Sequence, residues 1–64
     1  MNKQEIRELR IEMELMFLRA SQLETQFKIW QYRDPSYANT CLESSKQLLE
    51  EASEIERKLN KLIT

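Results

Sequence analysis

Between Tyr32 and Cys41 the chain reads YRDPSYANTC, and Pro35 within it is the one proline of a 64-residue sequence that holds no glycine. Proline lacks an amide hydrogen and pushes the residue before it out of the helical region, so a helix arriving from the left has to stop by Asp34. The same dipeptide starts a new helix. Asp34 can cap it, its carboxylate accepting from the open amides of the first turn, while Pro35 takes the first helical position, where no donor is needed. Asp-Pro-Ser therefore reads as a turn and a restart, not as a kink inside one long helix.

Working outward from this turn, each side carries a heptad seam. To the left, Ile6, Leu9, Met13, Met16, Ala20, Leu23, Phe27 and Trp30 alternate at spacings of three and four, the a/d pattern of a coiled coil. To the right the same spacing picks out Ala38, Cys41, Ser45, Leu48, Ala52, Ile55, Leu59 and Leu62. Asn2 followed by Glu5 resembles a capping box. The fold class expected is all-α: an antiparallel two-helix coiled-coil hairpin, helix about 2–32, turn 33–35 and helix about 35–63, forming a single domain over residues 1–64.

Folded at Asp34 and Pro35, the seams meet in a register where the numbers of facing residues sum to 68. Trp30 then faces Ala38, Phe27 faces Cys41, Leu23 faces Ser45, Ala20 faces Leu48, Met16 faces Ala52, Met13 faces Ile55, Leu9 faces Leu59 and Ile6 faces Leu62. Large side chains meet small ones near the turn, as close packing requires. The flanks agree, since antiparallel helices set e against e and g against g. Arg10 comes opposite Glu56, Glu12 opposite Lys58, Arg19 opposite Glu51 and Phe17 opposite Leu49, with no like-charged pair. Each exposed ion pair is worth only about 0 to 1 kcal/mol, but together they disfavour slipped registers.

A hairpin this small encloses little apolar volume and needs help from a disulfide, a metal or a partner. One cysteine and no histidine exclude an internal disulfide and the usual zinc spacings, and they suggest a reducing compartment, the cytosol. Ten basic and eleven acidic residues are interspersed to a net charge of -1, so no polyanion-binding block exists. MNKQEIRELR is charged from its start and the longest apolar run is Leu15 to Leu18; neither a leader nor a membrane span is expected.

That leaves a partner. The outward positions of the second helix, Asn39, Thr40, Glu43, Lys46, Gln47, Glu50, Ser53, Glu54, Arg57, Asn60, Lys61 and Thr64, are all polar or charged. The first helix differs: Ile11, Leu15 and Leu18 line its outer side, continued through Gln22 and Thr25 to Ile29 and Tyr32. An apolar stripe that the hairpin does not cover marks an interaction site, filled by a second copy in a four-helix bundle or by the groove of another protein. Phe17 and Leu49 at the hairpin edge are candidates to join it.

Catalysis has no support in the residues. Without glycine there is no phosphate-binding loop, and without histidine the usual general base is missing. Ser45 has no base beside it and reads as a small filler bonding back to its own preceding turn. Cys41, facing Phe27, reads as a buried small hydrophobe. Trp30 and Phe27 sit on the seam and close the core instead of stacking on bases. Met13 and Met16 fill the core, and Glu50 and Glu51 belong to a solvated face, not a metal site. No enzyme activity, cofactor or metal is expected.

The LRA of Leu18 to Ala20, the Asp34-Pro35 turn, Tyr37 just after it and the second helix through LLEEASEI together resemble the small two-helix co-chaperones of bacterial type III secretion needle subunits. The resemblance implies a bacterial cytoplasmic hairpin that docks on a larger helical-repeat chaperone, of the TPR kind, and with it keeps the needle subunit from polymerising before export. The stripe of Ile11, Leu15 and Leu18 is then the docking face. In size, hairpin form and an early cysteine in the second helix, the chain also resembles the homodimeric four-helix-bundle RNA-binding regulators of plasmid copy control, with Phe17, Arg19 and Lys28 on such a face. Glu12, Glu14 and Glu24 interleave with the basic residues there and oppose it. A self-associating hairpin with no other ligand is the third reading.

Overall fold

The computed structural model describes residues 3–63 as two antiparallel α-helices, α1 over Lys3–Trp30 and α2 over Pro35–Ile63. The body measures 47 × 15 × 12 Å, a rod two helices wide. Among the described residues there is no strand, and no helix is long and apolar enough to cross a membrane. Asn2 of the expected capping box lies outside the described residues.

The reversal is made without glycine or any positive φ among the described residues. The Arg33 and Asp34 amides both donate to the Trp30 carbonyl, at 3.0 and 2.8 Å, which ends α1 at Trp30. The helix is thus two residues shorter than the boundary expected near Tyr32, because Trp30's carbonyl serves the turn. Asp34 caps α2 as its sequence indicates: its Oδ1 accepts from the Tyr37 amide at 3.2 Å, and its carbonyl accepts from the Ala38 amide at 2.9 Å. Pro35 opens α2, where its missing donor costs nothing.

The heptad seams are the core. Ala20, Ala38, Cys41, Ser45, Ala52, Ile55 and Leu59 are buried, and Ile6, Leu9, Met13, Met16, Leu23, Phe27, Trp30 and Leu48 are half-buried. Small residues of α2 lie at the bottom of the contact while large ones of α1 lean over them. Leu62 departs from the expectation. It is 41% exposed, at the open end of the contact between the two helices.

The tightest approach is at Ser45. Its hydroxyl donates across the interface toward the Ala20 carbonyl at 3.1 Å, with the Glu24 Oε1 at 3.3 Å. The expected bond back to its own helix is not made. Ala20 and Glu24 bracket the Leu23 position that the register sets opposite Ser45. Because Ala20 and Ser45 are both 1% exposed, the axes close far enough for a side chain of one helix to reach the backbone of the other. A buried hydroxyl without a partner costs about 1 to 3 kcal/mol, and here it has two.

Candidate partner-binding face

α2 presents its apolar residues to one side only. α1 presents them to two. At about 100° per residue, Ile11, Leu15 and Leu18 occupy an arc of about 60° lying roughly 160° from the seam. They are 51%, 60% and 56% exposed. The three span roughly 10 Å along the axis, a short aliphatic ridge on the back of the hairpin.

The remaining candidate residues do not all share this ridge. Ile29 has nearly the same bearing and is also exposed, but it lies roughly 16 Å beyond Leu18, past Gln22 and Thr25. The Thr25 hydroxyl donates to the Ser21 carbonyl at 3.1 Å, satisfying it within the helix. Tyr32, 89% exposed, stands in the turn beyond the end of α1. Phe17 points roughly 130° away from the ridge centre; it and Leu49 are half-buried on one flank of the hairpin, as is Leu42. The seven residues therefore fall into three places: a ridge extended by Ile29, a flank pair, and a turn tyrosine.

Leu42 escapes a seam-only reading of the heptads. It takes the e position of its heptad, and its apolar character next to Leu49 was the available signal. Tyr37 is the other addition. Its ring meets Trp30 edge to face, with centroids 5.8 Å apart and planes at 86°, an arrangement that aromatic quadrupoles favour. The Trp30 indole N–H donates to Gln26 Oε1 at 3.1 Å. Tyr37 titrates above its ordinary value of 10.0, first because of a hydrogen bond with the Cys41 side chain, and then because of repulsion from Cys41 and burial.

Charges frame the ridge. Arg7, Glu14 and Ser21 run along one border and Glu12 and Arg19 along the other, all exposed. The surface grooves are lined by side chains such as Arg19, Leu23, Ser44, Gln47, Leu48 and Glu51, which offer no convergent polar set for a small ligand. No cluster that could hold a metal ion occurs among the described residues. In comparisons with known proteins, no family model matches the chain, and no curated protein or solved structure matches it.

Proposed function

We propose that the hairpin is a protein-docking module, a bacterial cytoplasmic co-chaperone that presents the back of α1 to a larger helical-repeat chaperone. Together the two keep a type III secretion needle subunit soluble until export. The observation that carries the docking reading is the ridge of Ile11, Leu15 and Leu18, more than half exposed on a helix whose opposite side is already occupied by α2. Water around three aliphatics in register is an unfavourable state that a partner groove relieves. Such a role needs no catalytic group, cofactor or metal. The needle-subunit assignment draws on the sequence resemblance, and the exposed carboxylates Glu12, Glu14 and Glu24 weigh against an RNA-binding role.

The test is co-purification. From a host with a type III secretion system, the wild-type chain should bring down a helical-repeat chaperone and its needle subunit. Leu15→Glu or Leu18→Glu should lose both while circular dichroism shows unchanged helicity. Retained binding by both variants removes the ridge from the interface; recovery of RNA instead of a chaperone, in a salt-sensitive manner, replaces the reading.

A further inference from the structure

The same ridge carries information about a second copy of this chain. Treated as a heptad of its own, the back of α1 places Leu15, Gln22 and Ile29 at one seam position and Ile11, Leu18 and Thr25 at the other. Arg7 and Glu14 border it on one side, and Glu12 and Arg19 on the other. All of these residues are exposed. In a parallel pair of helices, each residue on the first border lies beside the residue five positions later on the partner's second border, the g-to-e relation of coiled coils. Arg7 then meets the copy's Glu12, and Glu14 meets the copy's Arg19. By two-fold symmetry both contacts occur twice.

Antiparallel pairing is worse. The register that stacks Leu15 on Leu18 pairs Glu12 with the copy's Arg19 but sets Arg7 against Lys28, so its opposite and like contacts offset, and the register that stacks Leu15 on Ile11 sets Glu12 and Glu14 each against its own copy. Like charges at such positions disfavour the pairing. In the parallel arrangement the like-charge contacts lie at the two ends of α1: Glu8 with Glu8, at the solvated first turns, where Gln4 donates to the Glu8 carboxylate at 3.4 Å, and Lys28 toward the copy's Arg33, in the turn beyond α1. Gln22 meets Gln22 in the middle of the seam, the kind of single polar layer that holds two helices in register.

The surface area is consistent with this. The hairpin exposes 5193 Å², whereas a compact monomer of its mass exposes roughly 4,400 Å². The excess belongs to the elongated 47 × 15 × 12 Å shape, and it leaves surface enough for one partner's share of a standard interface, roughly 800 Å².

We propose that, when no other partner covers it, the back of α1 closes on a second copy of this chain in parallel and in register. Ile11, Leu15, Leu18 and Ile29 stack on their counterparts between the paired borders. The two α2 helices remain outside. The dimer hides the ridge proposed above for the chaperone, so self-association and docking compete for one surface.

Sedimentation equilibrium of the full chain should show a concentration-dependent dimer. Under oxidising conditions Gln22→Cys should trap a covalent dimer far faster than Ser53→Cys, on the outer face of α2, or the wild type, whose Cys41 is buried. Glu14→Arg should weaken the dimer by roughly tenfold or more, and Glu14→Arg combined with Arg19→Glu should restore it, with helicity by circular dichroism unchanged throughout. A monomer at every concentration, equal trapping at Gln22 and Ser53, or failure of the double exchange to restore association overturns the parallel dimer. A chain that stays monomeric yet binds the chaperone overturns the dimer alone; a dimer that no chaperone dissociates overturns the docking reading alone.

Discussion

α1 and α2 have nearly equal lengths, 28 and 29 residues, yet they spend their apolar side chains differently. In α2 the small residues Ala38, Cys41, Ser45 and Ala52, with Ile55 and Leu59, sink into the contact, and its outward side is polar. In α1 only Ala20 is fully buried; its larger seam residues remain half-buried, and a second aliphatic group faces outward. One helix is finished by the hairpin and the other is not. The buried apolar residues of α2 are there for the fold, whereas an apolar residue on the back of α1 contributes almost nothing to the isolated fold and needs another reason.

That contrast can be attacked with one substitution made twice. Leu59→Ala should destabilise the hairpin by about 2 to 5 kcal/mol, enough to unfold a domain this small, while Leu18→Ala should change stability by no more than about 0.5 kcal/mol. Urea melts of the two variants at a single low concentration should differ by most of the transition. Equal midpoints would mean that the two helices are not used differently.

A smaller effect is expected where α1 does resemble α2. Ala20→Leu forces a branched side chain into the place where Ser45 reaches the Ala20 backbone, and overpacking of this kind costs about 1 to 3 kcal/mol. Thr25→Leu, on the outer side of the same helix, should cost little. Thermal denaturation followed by circular dichroism separates the two.

The turn belongs to both helices, so its disruption should not discriminate between them. Asp34→Ala removes the acceptor for the Tyr37 amide and should cost about 1 kcal/mol, whereas Asp34→Asn should keep most of the cap. Amide exchange should quicken first in the opening turn of α2.

The smallest effect lies at Tyr37. Its phenol binds its proton more tightly when folded, through the bond with Cys41, so this contribution to stability is fully present below pH 10.0, the ordinary value, and is lost as pH rises through the raised one. In a Tyr32→Phe background, ultraviolet titration should show a phenol ionising above pH 10.0. Adding Cys41→Ala should bring the midpoint down.

Much of the architecture can be read from local chemistry. Asp34 and Pro35 announce the reversal because their backbone preferences operate within one turn, and the 3.6-residue period exposes both seams because burial acts on one side of a helix at a time. The end of α1 is less legible, since Trp30 and Tyr32 are both compatible with a helical last turn until the Arg33 and Asp34 amides select the Trp30 carbonyl. For the candidate face, the ridge of Ile11, Leu15 and Leu18 follows from spacing alone. Phe17 and Leu49 read as edge positions from the same spacing, and the tertiary structure adds that both are half-buried there.

Periodicity and the single Asp-Pro step dictate a two-helix hairpin, its register and the unspent stripe on α1, because each depends on residue order over a few turns. Packing in three dimensions decided how near the helices come, that the Ser45 hydroxyl crosses to Ala20 instead of folding back on its own turn, that Leu62 stays in water, and that Tyr37 braces Trp30. Those outcomes depend on the distance between two axes and on how each side chain meets the opposite helix, quantities that no local pattern of residues encodes.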